Sequence, residues 1–404
     1  MYKPSGKIIQ KYADILVNFA LGGGKGIKRG DVVYVVAYEY AKPLYAELLR
    51  QITKAGGNVI SHYLPNEDHA LNATRDFLVN AKEHQISFFP SKYFRGLVDE
   101  IDHYIFIISD TDMEALKGIN PKKIMARAKT MKPFQEWRDE KQSQKRFTRT
   151  IALYGTKAMA KEAGLSEKEY WNEIIKACFL ETKNPISKWR RIEKRKVFFK
   201  NRLNRLKAEK FHIFGPDVDL WITLGKKRKW QGGGGENIPS FEIFISPDWR
   251  GTQGWINFNN PVFTKGNLIK DIKLSFKNGR VIHARAKKNE KFLKEMINLP
   301  GGNRVGEFSL TDKRFSKITK FMAETLYDEN VGGPYGNMHI ALGKSYHDCY
   351  DGNPAKLSKK EWQKLGFNDS AIHEDIVLTR PMTVVAHLKN AKECTIYKNG
   401  LFVL

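Results

Sequence analysis

Cysteine is scarce in this chain: three, Cys178, Cys349 and Cys394, stand among 404 residues. Their odd number, wide spacing and lack of any Cys-x-x-Cys pair exclude a disulfide framework and a cysteine zinc site, and point to thiols in a reducing compartment. Long apolar runs are missing too. No segment approaches the roughly 18 consecutive apolar residues that span a membrane, and the polar opening Met1 to Tyr12 lacks the apolar centre of a secretory signal. The expectation is a cytoplasmic protein with no membrane contact. Negative charge is in short supply: 44 Asp+Glu face 69 Lys+Arg, a formal net charge of +25. That excess admits nucleic acid or another polyanion as a partner, but no zinc finger or RNA-recognition motif specifies one. Common catalytic signatures are also absent. There is no Gly-x-Ser-x-Gly turn, no His-Glu-x-x-His and no Gly-x-Gly-x-x-Gly after a first strand.

What remains is an ordinary globular composition, 41% hydrophobic and 28% charged, which excludes collagen, coiled coil and wholesale disorder. At about 100–200 residues per domain the length predicts two domains. The first half alternates helix and strand signals. Lys7 to Leu21 carries Ile8, Tyr12, Ile15, Leu16 and Phe19 on one helical stripe, and Asp31 to Ala37 is a β-branched run that reads as a buried strand. Pro43 to Lys54 reads as a helix, and Asn58 to Leu64 and His103 to Ser109 as further strands. Strands separated by helices imply βαβ units and a parallel sheet. Ser166-Glu-Lys-Glu169 is a capping box that opens a helix through Phe179. Trp189 to Lys210 reads as a long helix, with Trp189, Ile192, Phe199, Leu203 and Leu206 at helical spacing. Ten of its 22 residues are Lys or Arg against two acids, so its outer face is the candidate surface for a polyanion.

After about Phe214 the text becomes strand-rich. Asn278-Gly279 and Asn399-Gly400 sit between alternating runs and predict hairpins. Two helices are expected, at Glu290 to Asn298 and Asp312 to Thr325. The reading is therefore an α/β N-terminal domain, residues 1–214, followed by a strand-rich α+β domain, residues 215–404. Gln231-Gly-Gly-Gly-Gly-Glu236 lacks the Lys-Ser/Thr and helix of a phosphate loop, and is expected to be a mobile connection.

Four segments of the second half hold polar residues in unusual company. Glu242 lies in the apolar run Phe241 to Ile245, where a carboxylate is costly to bury unless paired or bound to a cation. Glu307 repeats the pattern in Val305 to Leu310. Asp328-Glu-Asn330 precedes Asn337 to Tyr346, in which His339 sits among apolar and small residues. His373 and Asp375 are two apart, so on a strand both face one side, and Glu374 faces the other. Together these residues suit two adjacent divalent ions, with carboxylates able to bridge and imidazoles favouring zinc or cobalt.

These segments, in this order, resemble the thermophilic metalloprotease family of dinuclear aminopeptidases, of the aminopeptidase T and aminopeptidase S type. Tyr12 to Leu21, Met159 to Ser166, Tyr170 to Cys178 and Phe214 to Leu220 resemble other parts of the family, so the likeness is near full length. It implies a metalloaminopeptidase with the metals in the C-terminal domain, acting as a homodimer on peptides with a free N-terminus. The implied metal ligands are Glu242, Glu307, His339, His373 and Asp375, holding two divalent ions (zinc, cobalt, manganese or magnesium). Tyr346 matches the family's active-site tyrosine, and Glu307 is the carboxylate chosen to carry a proton. The chain departs from the family pattern in three places. Gly332-Gly-Pro-Tyr-Gly336 lengthens the passage before His339, Ile376-Val377 replaces Phe-Met after Asp375, and Phe241 replaces the glycine before Glu242. These changes bear on pocket shape and substrate preference. Two rival readings keep the same fold: a polyanion- or RNA-associated protein, and an inactive scaffold that retains metal.

Overall fold

The computed structural model describes residues 2–68 and 70–404, which divide into two compact units. The first comprises residues 1–119, 130–194 and 233–240. Its centre is a parallel sheet of β1 (Val32–Tyr38), β2 (Asn58–Leu64), β3 (His103–Ile108), β4 (Thr148–Leu153) and the late short strand β7 (Asn237–Ile238), in the order β2-β1-β3-β4-β7. Val33 to Ala37 are all buried, as expected of a strand covered by helices on both faces. The chain is thus mixed α/β. The first helix, Gly6–Ile15, continues as a π-helical turn over Leu16–Ala20, which lets Leu16, Val17, Phe19 and Ala20 all be buried. Helix Glu167–Ala177 opens on the expected capping box: Ser166 Oγ accepts from Glu169 N–H, and the Glu169 carboxylate accepts from Ser166 N–H at 2.9 Å.

Two expectations need correction here. The basic helix runs Pro185–Arg205, short of Lys210. Lys207 takes a left-handed φ of 51°, and Ala208 already pairs in a sheet. The glycine run is a packed turn instead of a mobile connection. Gly232 to Gly235 all have φ between 80° and 126°, and a Cβ on Gly235 would lie 2.5 Å from the carbonyl oxygen of Ala20. Only glycine fits that approach.

The second unit, residues 120–129, 195–232 and 241–404, holds two large antiparallel sheets and a two-stranded one among the described residues. The larger contains β5 (Ala208–Gly215), β6 (Val218–Thr223), β9 (Asp248–Phe258), β12 (Ile272–Lys277), β13 (Arg280–Arg285), β17 (Thr383–Leu388), β18 (Glu393–Lys398) and β19 (Leu401–Phe402). Their order is β13-β12-β9-β6-β5-β17-β18-β19. Asn278-Gly279 and Asn399-Gly400 turn the two foreseen hairpins with both central φ positive, the geometry that matches strand twist. A third hairpin joins β10 (Val262–Thr264) to β11 (Asn267–Ile269). The smaller sheet has the order β16-β15-β14-β8, from β8 (Glu242–Ile245), β14 (Val305–Thr311), β15 (Asn337–Gly343) and β16 (His373–Leu378). One face of it is apolar. Phe308 there meets Phe211 and Trp230, with ring centroids 5.9 and 5.8 Å apart.

The expected helix at Asp312 to Thr325 is not formed. Only Thr325–Asp328 is helical, and the passage before it is irregular. Its amides are claimed by side chains: Asp312 accepts from Arg314 N–H, Ser316 Oγ from Ile318 N–H, and Asp328 from Met322 and Glu324 N–H. Phe315, Ile318 and Met322 are still buried, so the apolar spacing reflects burial of an irregular strap rather than a helix face. The helix Glu290–Ile297 forms as expected.

Candidate active site and metal centre

The polar face of the smaller sheet gathers the five residues named from sequence as ligands. Alternation decides which side chains share it. Glu242 pairs with Thr311, Ser309 with His339, Glu307 with Ala341, Ala341 with Asp375, and Gly343 with His373. All of these therefore lie on one face. Ala341 stands between Glu307 and Asp375, and its methyl group leaves room for both carboxylates to lean together. Glu374 faces the other way, as its position predicts, and accepts a hydrogen bond from Thr264 Oγ1 at 2.9 Å.

The side chains converge. His339 Nε2 lies 3.2 Å from Glu242 Oε2, 3.4 Å from Glu307 Oε1 and 3.8 Å from Asp375 Oδ1. His373 Nε2 lies 3.2 Å from Glu307 Oε2 and 3.5 Å from Asp375 Oδ1. Two groups of potential ligand atoms result, Glu242–Glu307–His339 and Glu307–His373–Asp375, each with all its atoms within 4.8 Å of one another. Glu307 belongs to both, with one oxygen toward each imidazole. Tyr346 packs against the same place, its ring tilted 4.5 Å from that of His373 and edge-on 5.6 Å from that of Phe244.

Several contributors were not named from sequence. Ser309 donates to Glu242 Oε2 at 2.9 Å; its position two residues after Glu307 was the available signal. The carbonyl of Lys344 accepts from His373 Nδ1 at 2.7 Å. Glu329 is a fourth buried carboxylate and is hydrogen-bonded to Asp375. Asn330 donates to Glu329 Oε1 at 3.2 Å and accepts from Phe241 N–H at 2.6 Å. It thereby ties Glu329 to the start of the Glu242 strand. Asp328-Glu-Asn330 stood out as a segment, but no periodic pattern marks Glu329, which follows the four-residue helix Thr325–Asp328 as its C-cap.

Four carboxylates and two imidazoles share this space, and among the described residues no Lys or Arg forms an ion pair with any of the four acids. Protons then do the balancing. Burial, followed by the charge of Glu242, raises the Glu307 carboxyl above its ordinary range. Burial and the charges of Asp375 and Glu242 push Glu329 well up. Burial opposes the His339 imidazolium, but hydrogen bonds to Glu242 and Glu307 raise it well above normal. Against the same burial, Asp375 and Glu307 raise His373 to about 10, and the His373 charge helps to hold Asp375 near 2. Asp375 Oδ1 and His339 Nδ1 are buried without a hydrogen bond of their own. A site that must import protons to neutralise itself, with an orphaned carboxylate oxygen at its centre, fits divalent cations.

The sequence profile of the thermophilic metalloprotease (M29) family matches residues 6–402. The chain belongs to that family and is a peptide hydrolase. Among its relatives, aminopeptidase PepS of Streptococcus thermophilus is 28% identical over 320 residues, covering 74% of this chain and 75% of that protein. Aminopeptidase T of Thermus thermophilus is 26% identical over 415 residues, covering 96% and 98%. The solved structure of wild-type AmpT from Thermus thermophilus shares the fold, with a TM-score of 0.81 at 23% identity over 98% of this chain and 99% of that one. Membership implies a divalent metal cofactor, and the donor set above fits one. No helix is long and apolar enough to cross a membrane among the described residues.

Proposed function

We propose that the chain is a metal-dependent aminopeptidase that removes N-terminal residues from peptides, using two divalent ions held by Glu242, Glu307, His339, His373 and Asp375. The observation that carries this reading is Glu307, which offers one oxygen to each of two ligand groups. A carboxylate so placed suits a pair of ions rather than one. Ions bound there supply a water of near-neutral acidity and a Lewis acid for the scissile carbonyl.

The chain's own residues would do the rest. The Tyr346 hydroxyl would donate to the substrate carbonyl oxygen as negative charge builds on it. Glu307, chosen from sequence to carry the proton destined for the leaving amine, has both oxygens turned to the ligand groups, so Glu329, hydrogen-bonded to Asp375, is proposed for that transfer instead. The acidic cluster also favours the free α-ammonium group of a peptide N-terminus, which would restrict cleavage to the first residue. Imidazole and carboxylate donors suit zinc, cobalt or manganese better than magnesium. The family resemblance further supports a homodimer in the cytoplasm, to be checked by sedimentation and fractionation.

The test is metal content together with turnover of aminoacyl reporter amides, before and after chelation and re-addition of zinc, cobalt or manganese. About two ions per chain, with activity lost on chelation and restored by metal, is the expected result. Two ions without turnover of any amide would leave an inactive scaffold. No metal after re-addition would remove the ligand assignment.

A further inference from the structure

The outer face of the eight-stranded sheet carries a feature that peptide hydrolysis does not use. By register, Phe214, Asp219, Trp255 and Ser275 form one row across β5, β6, β9 and β12, and His212 and Trp221 lie in the next. The His212 ring stacks on Trp221 at 4.1 Å with 7° between planes, and His387 adjoins it at 4.9 Å. Phe214 and Trp255 are 41% and 38% exposed, much for such rings on a sheet. Lys210 Nζ sits 4.7 Å from the centre of the Trp221 ring.

Lys210 and Thr223 also line a groove of about 1150 Å³ that continues from this face. Eight Lys and Arg residues line the groove against three acids. Among the described residues none of Lys207, Lys226, Lys227, Lys364 and Lys389 forms an ion pair. One of the three acids, Asp248, is already taken by Arg250 at 2.6 Å. The buried Arg228 spends its guanidinium on the carbonyls of Ser246, Lys226 and Leu365, so its positive charge is left uncompensated by those bonds.

We propose that this face and groove form a binding site for a single-stranded polynucleotide, with bases stacked on Phe214 and Trp255 and phosphates in the lysine groove. Exposed rings beside unpaired cations are the two elements such a strand needs. A duplex hides its base faces, whereas a single strand can present them to aromatic side chains. A second copy of this chain is a poor occupant, because it would bring like charge against unpaired lysines. The end of the basic helix reaches the groove through Leu203 and Asn204, but β5, not that helix, supplies Lys210 and Phe214.

The test is fluorescence anisotropy with a labelled oligouridylate of roughly a dozen nucleotides, with inorganic polyphosphate and an RNA duplex as competitors. Binding should weaken with salt at about −0.7 in log–log slope per phosphate engaged. Phe214→Ala and Trp255→Ala should each weaken binding by roughly tenfold at unchanged salt slope. Lys226→Glu with Lys227→Glu should weaken it and flatten the slope. All these variants should keep full aminopeptidase turnover, which separates this site from the metal centre. Equal competition by polyphosphate with no effect of the ring variants would reduce the surface to bulk charge and overturn the proposal. So would absence of binding at low salt, or ring variants that dissociate a homodimer while RNA stays unbound.

Discussion

His373 gives the hydrogen on its Nδ1 to the carbonyl oxygen of Lys344, 2.7 Å away. A carbonyl can only accept, so the tautomer is fixed and the lone pair of the neutral ring lies on Nε2, toward Glu307 and Asp375. His373→Ala should therefore remove metal-dependent turnover to background while far-ultraviolet circular dichroism stays native. The residue is only half-buried, so the fold has little reason to fail. Unchanged turnover would dismiss His373 as a ligand.

Metal binding should release protons. Ligation through Nε2 requires neutral imidazoles, yet His373 is raised to about 10 and His339 well above its ordinary value. Affinity should thus rise with pH between about 6 and 8, and calorimetry in buffers of different ionisation enthalpy should count the protons. The metal-free protein should show the opposite trend. A raised histidine stabilises fully below its unfolded value of 6.5 and loses that contribution as pH climbs through about 10. Melting temperature against pH, with and without chelator, reads both trends. Parallel curves would contradict the prediction.

Tyr346→Phe should lower kcat by about 10²–10³, the loss typical of one oxyanion donor, without changing bound metal. An equal loss of metal would make the tyrosine a structural residue instead. KM, kcat and metal content together decide.

Ser309→Ala should cost roughly 10–100-fold in metal affinity, because the hydroxyl orients Glu242. Full affinity in the variant would show that Glu242 needs no such support. Ala341→Val, which crowds the gap between Glu307 and Asp375, should impair binding as well.

Phe308→Ala should destabilise the second unit by about 3–5 kcal/mol, since the ring is fully buried against Phe211 and Trp230. Urea unfolding would measure it. A cost below about 1 kcal/mol would mean that the neighbours collapse into the space.

The residues brought together here were legible because each sits on a strand. With a period of two, a polar side chain in an apolar run announces which face it occupies, and Glu242, Glu307, His339, His373 and Asp375 all do so. Glu329 did not, because it caps a four-residue helix and lies on no strand whose period it could break. Ala341 escaped notice for the opposite reason: its contribution is smallness, which looks like any core position. The helix wrongly expected at Asp312 to Thr325 shows the limit of apolar spacing, since side chains such as Asp312 and Asp328 had claimed the amides a helix needs. The glycine run misled because four glycines look like slack, while Gly235 is there for contact with Ala20.

The four-stranded sheet acts as a ruler. Its strands stand a fixed ~4.8 Å apart, and each candidate ligand takes its place from a tick on that scale. Loops between the strands can lengthen freely, because they carry no graduation. One residue inserted into any of the four strands would instead turn that strand's polar side chains into the core. Variation among relatives should accordingly crowd into the connections and spare strand length, even where the side chains of a strand have been exchanged.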